Sequence, residues 1–129
     1  MARKKTKLGE HALPVTVTAV LLWLVGALCI HSFPALFEAR GRVMLMMLAA
    51  VPLAIVILLV TDWILGLERN KALPAAALLA IIALACHVLA LIWWPSLYGA
   101  DEAIVRHGAA WLVWTFAAVV GAAWISAER

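Results

Sequence analysis

The sequence predicts an all-α membrane protein in which four transmembrane helices form a four-helix bundle. Its 129 residues are 67% hydrophobic and only 13% charged, whereas a soluble domain has about 45–50% apolar and about 25% charged residues. The apolar residues fall into four long stretches without the polar alternation of a β-strand, and a membrane β-barrel needs more segments than these. The composition therefore excludes a soluble domain.

The four predicted spans cover residues 12–33, 43–65, 72–94 and 108–125. Each approaches the roughly 20 residues that a helix needs to cross about 30 Å of hydrocarbon. Prolines lie at or near the span ends, where a missing N–H does least harm, but Pro52 lies inside a span and is expected to bend it. Because the connections are short, we expect consecutive helices to be antiparallel neighbours.

The basic residues predict that both termini lie in the cytoplasm. Seven of the ten flank one side of the spans, namely Arg3, Lys4, Lys5, Lys7, Arg69, Lys71 and Arg129. Arg40, Arg42 and Arg106 lie on the other side, and the positive-inside rule assigns the richer side to the cytoplasm. We therefore expect a multi-pass protein of the bacterial inner membrane, with a cytoplasmic segment over residues 1–11 and one transmembrane domain over residues 12–129. The basic residues form no face with aromatic stacking platforms, so nucleic acid is not an expected partner.

The two halves of the chain resemble each other at an offset of about sixty residues. The matching positions are proline and aromatic residues near the span ends: Leu13-Pro14 with Leu73-Pro74, Phe33-Pro34 with Trp94-Pro95, and Trp63-Ile64 with Trp124-Ile125. These matches predict two tandem hairpins, residues 13–69 and 73–129, related as a parallel repeat because both begin on the same side. Convergence is the alternative, since every span needs such residues at its ends.

Small residues predict which helix faces pack against other helices, because lipid is as apolar as the helices themselves. In the third span the predicted packing face recurs at steps of three and four and comprises Ala76, Ala80, Ala83, His87 and Ala90. In the fourth span, Ala117 and Gly121 are the corresponding candidates.

Three histidines in one half of the membrane are the candidate cofactor ligands. His31, His87 and His107 belong to three different segments on the same side of the bilayer midplane, and imidazoles are ligands for haem or a metal. Their expected depths differ, so we expect His87 to be a neutral structural contact that bonds to a backbone carbonyl or to Thr115. The sequence therefore predicts no cofactor and no metal.

Asp62 is the one acid within a predicted span, and intramembrane acids are candidate transport residues by default. Together with the bend at Pro52, it gives a small transporter or channel as one alternative function. Its position near Arg69 also favours an interfacial ion pair or a helix-end contact, and both possibilities remain open.

The motifs of an enzyme are missing from the sequence. It contains no glycine-rich phosphate loop, no plausible Ser-His-Asp set and no paired carboxylates. We expect a non-catalytic integral membrane protein, either an accessory or structural subunit of a larger inner-membrane assembly or a homo-oligomer. Its partners would be the lipid bilayer and other membrane subunits or its own copies. The alternatives are the transporter that uses Asp62 and a haem- or quinone-binding electron-transfer subunit that uses His87.

The second half of the chain also carries a family resemblance. Leu73 onward, with Trp94-Pro95-Ser96-Leu97-Tyr98 and Gly108-Ala109-Ala110-Trp111-Leu112-Val113-Trp114, resembles an uncharacterised family of small four-helix bacterial inner-membrane proteins, mainly over residues 73–125. Members of that family tend to have Asn after the loop proline and an acid deep in the third helix, where this chain has Ser96 and His87. The resemblance implies the four-helix fold and no particular activity.

Overall fold

The computed structural model describes residues 8–128 and contains four long helices. They are α1 (Leu8–Ser32), α2 (Arg40–Leu65), α3 (Ala72–Trp93) and α4 (Glu102–Ala127). Each is long and apolar enough to cross a membrane, which confirms the prediction of an all-helical chain with four candidate membrane spans. Residues 1–7 of the predicted basic segment 1–11 lie outside the described residues, and residues 8–11 belong to α1.

Capping chemistry places the start of α4 earlier than hydrophobicity predicted. Asp101 precedes the helix, and its Oδ1 accepts hydrogen bonds from the backbone N–H groups of Ala103 at 2.8 Å and Ile104 at 3.2 Å. An aspartate at this position satisfies N–H groups that have no partner within the helix. The helix therefore begins at Glu102, six residues before the apolar run that starts at Gly108.

The prolines occupy three kinds of position, and Pro74 represents the first of them, the opening turn of a helix, in α3. Pro14 lies inside α1, because that helix extends to Leu8 beyond the apolar run, and Pro52 lies inside α2, as expected. Short 3₁₀ segments, Pro34–Phe37 and Pro95–Leu97, turn the chain after α1 and α3. We call the end of the bundle that carries these two connections the loop end. The opposite end, where residues 66–71 join α2 to α3, is the terminal end.

The helices pack in the order α1, α3, α4, α2, which differs from the order along the chain. Extensive contacts join α1 to α3, α3 to α4 and α4 to α2, whereas the consecutive helices α1 and α2 touch little. The Pro34–Phe37 segment contacts α1, α2 and α4, so the first connection crosses the beginning of α4. The expectation that all consecutive helices are neighbours is thus confirmed for α3 and α4 and wrong for two pairs, α1 with α2 and α2 with α3, because α4 packs between α2 and α3.

A close approach of α1 and α4 requires a glycine at the loop end. A Cβ added at Gly108 would lie 2.7 to 2.9 Å from three side-chain carbons of Ile30, which is fully buried. Small residues permit such contacts between membrane helices. Gly108 therefore sets the distance between the two helices.

Exposed tryptophans mark both ends of the bundle. Trp63 and Trp124 lie near the terminal end with exposed fractions of 83% and 60%, and Trp93 and Trp94 lie at the loop end with 74% and 57%. Tryptophan is enriched at both membrane–water interfaces because its ring is apolar and its N–H is polar. The distribution fits helices that cross the bilayer from end to end.

Candidate functional site

His87 belongs to a chain of three hydrogen-bonded side chains inside the bundle. It lies on the buried face of α3 with 3% of its surface exposed, and the fully buried Tyr98 follows the segment Pro95–Leu97. His87 Nδ1 lies 2.7 Å from the Tyr98 hydroxyl. The half-buried Trp23 of α1 donates its indole N–H to the same hydroxyl at 3.3 Å. The cluster thus joins α1, α3 and the second loop.

The hydrogen-bonding capacities of the groups fix one of the two directions. An indole N–H only donates, so the Tyr98 oxygen accepts from Trp23. The direction of the hydrogen bond between the Tyr98 hydroxyl and His87 Nδ1 follows the imidazole tautomer, because a hydroxyl both donates and accepts. Burial raises the pKa of the Tyr98 phenol, which keeps the hydroxyl protonated.

The second edge of His87 faces a tightly packed region. Its Nε2 is buried and has no hydrogen-bond partner among residues 8–128. A Cβ at Gly26 would lie 3.7 Å from this nitrogen and only 2.8 Å from Leu112 Cδ2. The Phe116 ring lies 6.0 Å from the imidazole, centroid to centroid. This edge therefore faces Gly26, Leu112 and Phe116.

The other two candidate histidines lie apart from this cluster. His31 is exposed at the end of α1, and His107 Nδ1 lies 2.6 Å from the Phe37 carbonyl oxygen, to which it donates. Within residues 8–128 no group of three His, Cys, Asp or Glu residues is placed to hold a metal ion. Cys29 and Cys86 are half-buried free thiols. The structure does not bring the three candidate histidines together.

Asp62 is half-buried near the terminal end of α2, and its Oδ1 has no hydrogen-bond partner among the described residues. Its backbone carbonyl accepts the N–H groups of Gly66 and Leu67, which ends the helix. Arg69 bonds instead to the Ser126 carbonyl, with Nε at 3.4 Å. The expected ion pair is therefore not formed in the structure, and Arg69 places a cation at the negative end of α4.

The predicted packing residues fall into two groups. Five in α3 are buried, namely Ala76, Ala80, Ala83, His87 and Ala90. In α4, however, Ala117 is exposed and Gly121 only half-buried. The buried face of α4 carries larger side chains, including Trp111, Phe116 and Val119, so residue size alone did not identify it.

Sequence reasoning missed Tyr98 as the partner of His87. We expected a backbone carbonyl or Thr115, but Thr115 donates to the Trp111 carbonyl at 2.7 Å. A signal existed in the repeat, where the buried aromatic after the first loop proline is Phe37 and the corresponding residue after the second is Tyr98. The extra hydroxyl in an otherwise matching position indicates a polar partner inside the bundle.

Comparison with known proteins identifies one family. The group described as "Family of unknown function (DUF5367)" matches residues 36–129, which confirms the resemblance to an uncharacterised family and extends it through α2. No curated protein matches the chain, and no solved structure does.

Proposed function

We propose that this chain, which belongs to the DUF5367 family of unknown function, is a non-catalytic integral membrane protein that acts by packing against other membrane helices. It would do so in a homo-oligomer or as an accessory, structural subunit of a larger assembly, with lipid and membrane helices as its partners and without nucleic acid or a cofactor. The observation that carries the proposal is an open groove between α2 and α4.

The groove has a volume of about 450 Å³ and mostly apolar walls. On α4 the small residues Ala118, Gly121 and Ala122 line it together with Trp114, Ile125 and Ser126, and Leu59 of α2 lines the opposite wall. A Cβ added at Gly121 would meet no atom within 4 Å. The fold therefore does not need this glycine, in contrast to Gly108. Small residues on an open helix surface let another helix approach closely, and close packing drives association in lipid.

The first test is self-association through this groove. We expect Gly121→Leu to weaken the dimer in liposomes by at least about tenfold, equivalent to about 1.4 kcal/mol, because the side chain fills the groove. An added Cβ meets no atom of its own chain within 4 Å, and we expect the rest of the leucine to extend into the open groove and leave the monomer folded. Single-molecule photobleaching over a range of protein-to-lipid ratios measures the dimer fraction.

Gly41→Leu is the matched control. Gly41 also lies in a helix and also has no atom within 4 Å of an added Cβ, but it precedes Val51 of the groove by ten residues, about 15 Å along the helix. We expect this variant to dimerise like the parent. Wild-type protein that stays monomeric at every ratio, or equal effects of the two leucines, would contradict association through the groove.

We also propose that both termini lie in the cytoplasm of a bacterial cell, with the chain in the inner membrane. The basic asymmetry supports this orientation, with seven Lys and Arg on one side and three on the other. In a chain with Cys29 and Cys86 replaced by alanine, we expect a membrane-impermeant thiol reagent applied from outside to label Glu38→Cys and to spare Asn70→Cys. Labelling of position 70 with position 38 protected would reverse the orientation.

The tandem-hairpin origin of the fold is part of the same proposal. Phe33 and Trp94 share nearly the same backbone geometry, with φ/ψ of −125°/57° and −145°/59°. Each precedes a proline that opens a 3₁₀ segment, and the buried aromatics Phe37 and Tyr98 follow. These local likenesses support duplication of residues 13–69 and 73–129 at the level of the sequence, whereas only the second copy packs as a hairpin, since α3 contacts α4 extensively and α1 touches α2 little. Profiles of the two halves built from family members should align with each other, and profiles that do not align would favour convergence.

The two alternative functions have weaker support from the geometry. The electron-transfer alternative needs a group that opposes His87, but its free edge faces Gly26, Leu112 and Phe116. The transporter alternative rests on Asp62, whose Oδ1 has no partner within the described residues. A visible spectrum of the protein purified in mild detergent distinguishes the first alternative, because bound haem absorbs strongly there.

A further inference from the structure

A second cavity, of about 450 Å³, lies at the loop end between α3, the second loop and the first turns of α4. Its polar wall is formed by Ser96, Glu102 and Arg106. Its apolar wall is formed by Leu91, Val105 and Ala109. Ala109 lies deepest of the α4 residues, beyond Glu102 and Arg106 along the helix. The cavity thus joins charged groups to an apolar wall that continues inward, a combination that suits a phospholipid at the boundary between headgroups and acyl chains.

The two charges in this cavity are not used by the protein itself. Within residues 8–128, neither Glu102 nor Arg106 forms an ion pair or a side-chain hydrogen bond, although they lie one helical turn apart. Glu38 and Arg42 have the same spacing at the start of α2, and there Arg42 Nη1 lies 3.8 Å from Glu38 Oε2 and 2.8 Å from the Ala35 carbonyl oxygen. Glu38 and Arg42 thus form an ion pair, whereas Glu102 and Arg106 do not pair with each other.

The second loop is also longer than the first. Glu38 follows Pro34 by four residues, whereas Glu102 follows Pro95 by seven. Two of the additional residues, Gly99 and Ala100, line the cavity, and Gly99 has a φ of 144° that favours glycine. The loop therefore opens a space beside α4. Since Asp101 supplies the helix cap, the carboxylate of Glu102 remains available to that space.

We propose that this cavity binds one phospholipid whose headgroup is phosphoethanolamine. Arg106 pairs with the phosphate, Glu102 accepts hydrogen bonds from the ammonium group, and an acyl chain follows Leu91 and Ala109. The two charged positions lie about 6 Å apart along the helix, which suits a phosphate and an amine joined by an ethylene spacer. An anionic headgroup such as phosphoglycerol would satisfy Arg106 but would place no positive charge beside Glu102.

Native mass spectrometry of the full chain tests this site with two lipids of identical acyl chains, phosphatidylethanolamine and phosphatidylglycerol. We expect the wild type to retain the first about threefold or more over the second, as one partly hydrated ion pair allows. Glu102→Gln should abolish that preference because it removes the partner of the amine. Arg106→Ala should weaken the retention of both lipids, because both contain the phosphate.

Arg42→Ala is the control at the same end of the bundle, and its lipid retention should equal that of the wild type. Equal retention of the two lipids by the wild type would overturn the proposal. So would an unchanged preference in Glu102→Gln or unchanged retention in Arg106→Ala. The bound lipid is counted on the monomer peak, so the result does not depend on self-association through the groove between α2 and α4.

Discussion

Gly108→Ala is expected to destabilise the folded protein by about 1–3 kcal/mol, the usual cost of overpacking a well-packed interior. The new Cβ would lie 2.7, 2.8 and 2.9 Å from Cδ1, Cγ2 and Cγ1 of Ile30. Real contacts between carbon atoms are optimal near 3.5–4.0 Å. Because Ile30 is fully buried, its side chain has no open space to enter, and α1 and α4 must move apart. Unfolding in mixed micelles with increasing dodecyl sulfate measures the difference in free energy.

The same substitution elsewhere in α4 separates the steric effect from helix propensity. Alanine favours a helix over glycine by up to about 1 kcal/mol, and Gly121→Ala gains this without any contact inside the chain. We expect that variant to be as stable as the wild type or more stable. In an Ile30→Ala background, which lacks all three contacting carbons, Gly108→Ala should lose most of its effect. Equal stabilities of Gly108→Ala and Gly121→Ala would show that α1 and α4 do not approach as closely as described.

Tyr98→Phe is expected to cost about 2 kcal/mol, because it leaves the buried His87 and the half-buried Trp23 without a hydrogen-bond partner. The hydroxyl accepts from Trp23 Nε1 and shares a second hydrogen bond with His87 Nδ1. A buried group that loses its hydrogen-bond partner costs about 1–3 kcal/mol in water-soluble proteins, and hydrogen bonds within membrane proteins average about 0.6 kcal/mol. Two lost hydrogen bonds at the membrane-protein average would cost about 1.2 kcal/mol, and two unpaired groups at the values for soluble proteins would cost about 2–6 kcal/mol. The expected cost of about 2 kcal/mol lies between these estimates. The same dodecyl sulfate titration measures it.

Thr115→Val provides the control for deletion of a buried hydroxyl. Thr115 is 4% exposed, but its hydroxyl donates only to the Trp111 carbonyl one turn earlier in the same helix. That carbonyl retains its bond within the helix, so the change should alter stability by less than about 0.5 kcal/mol. If Tyr98→Phe were as mild as Thr115→Val, the cluster of Trp23, Tyr98 and His87 would not hold the second loop to the bundle.

The sequence by itself determined the class of the protein and the number and approximate position of its helices. A bilayer requires about 20 apolar residues in each crossing, and this requirement acts on every segment independently of its neighbours. The sequence also identified the buried face of α3, since alanine at steps of three and four distinguishes one face of that helix. The family match over residues 36–129 agrees with a resemblance first visible in the second half alone.

Only the tertiary structure decided the order of the helices, the buried face of α4 and the partner of His87. In water, hydrophobic periodicity distinguishes a buried face from an exposed one, but in lipid both faces are apolar, and hydropathy no longer locates the interior. The exposed position of Ala117 and the burial of Phe116 depend on the fit between helices that are distant in sequence. The hydrogen bond between His87 and Tyr98 likewise depends on how the second loop folds back over α3, which no local pattern of residues specifies.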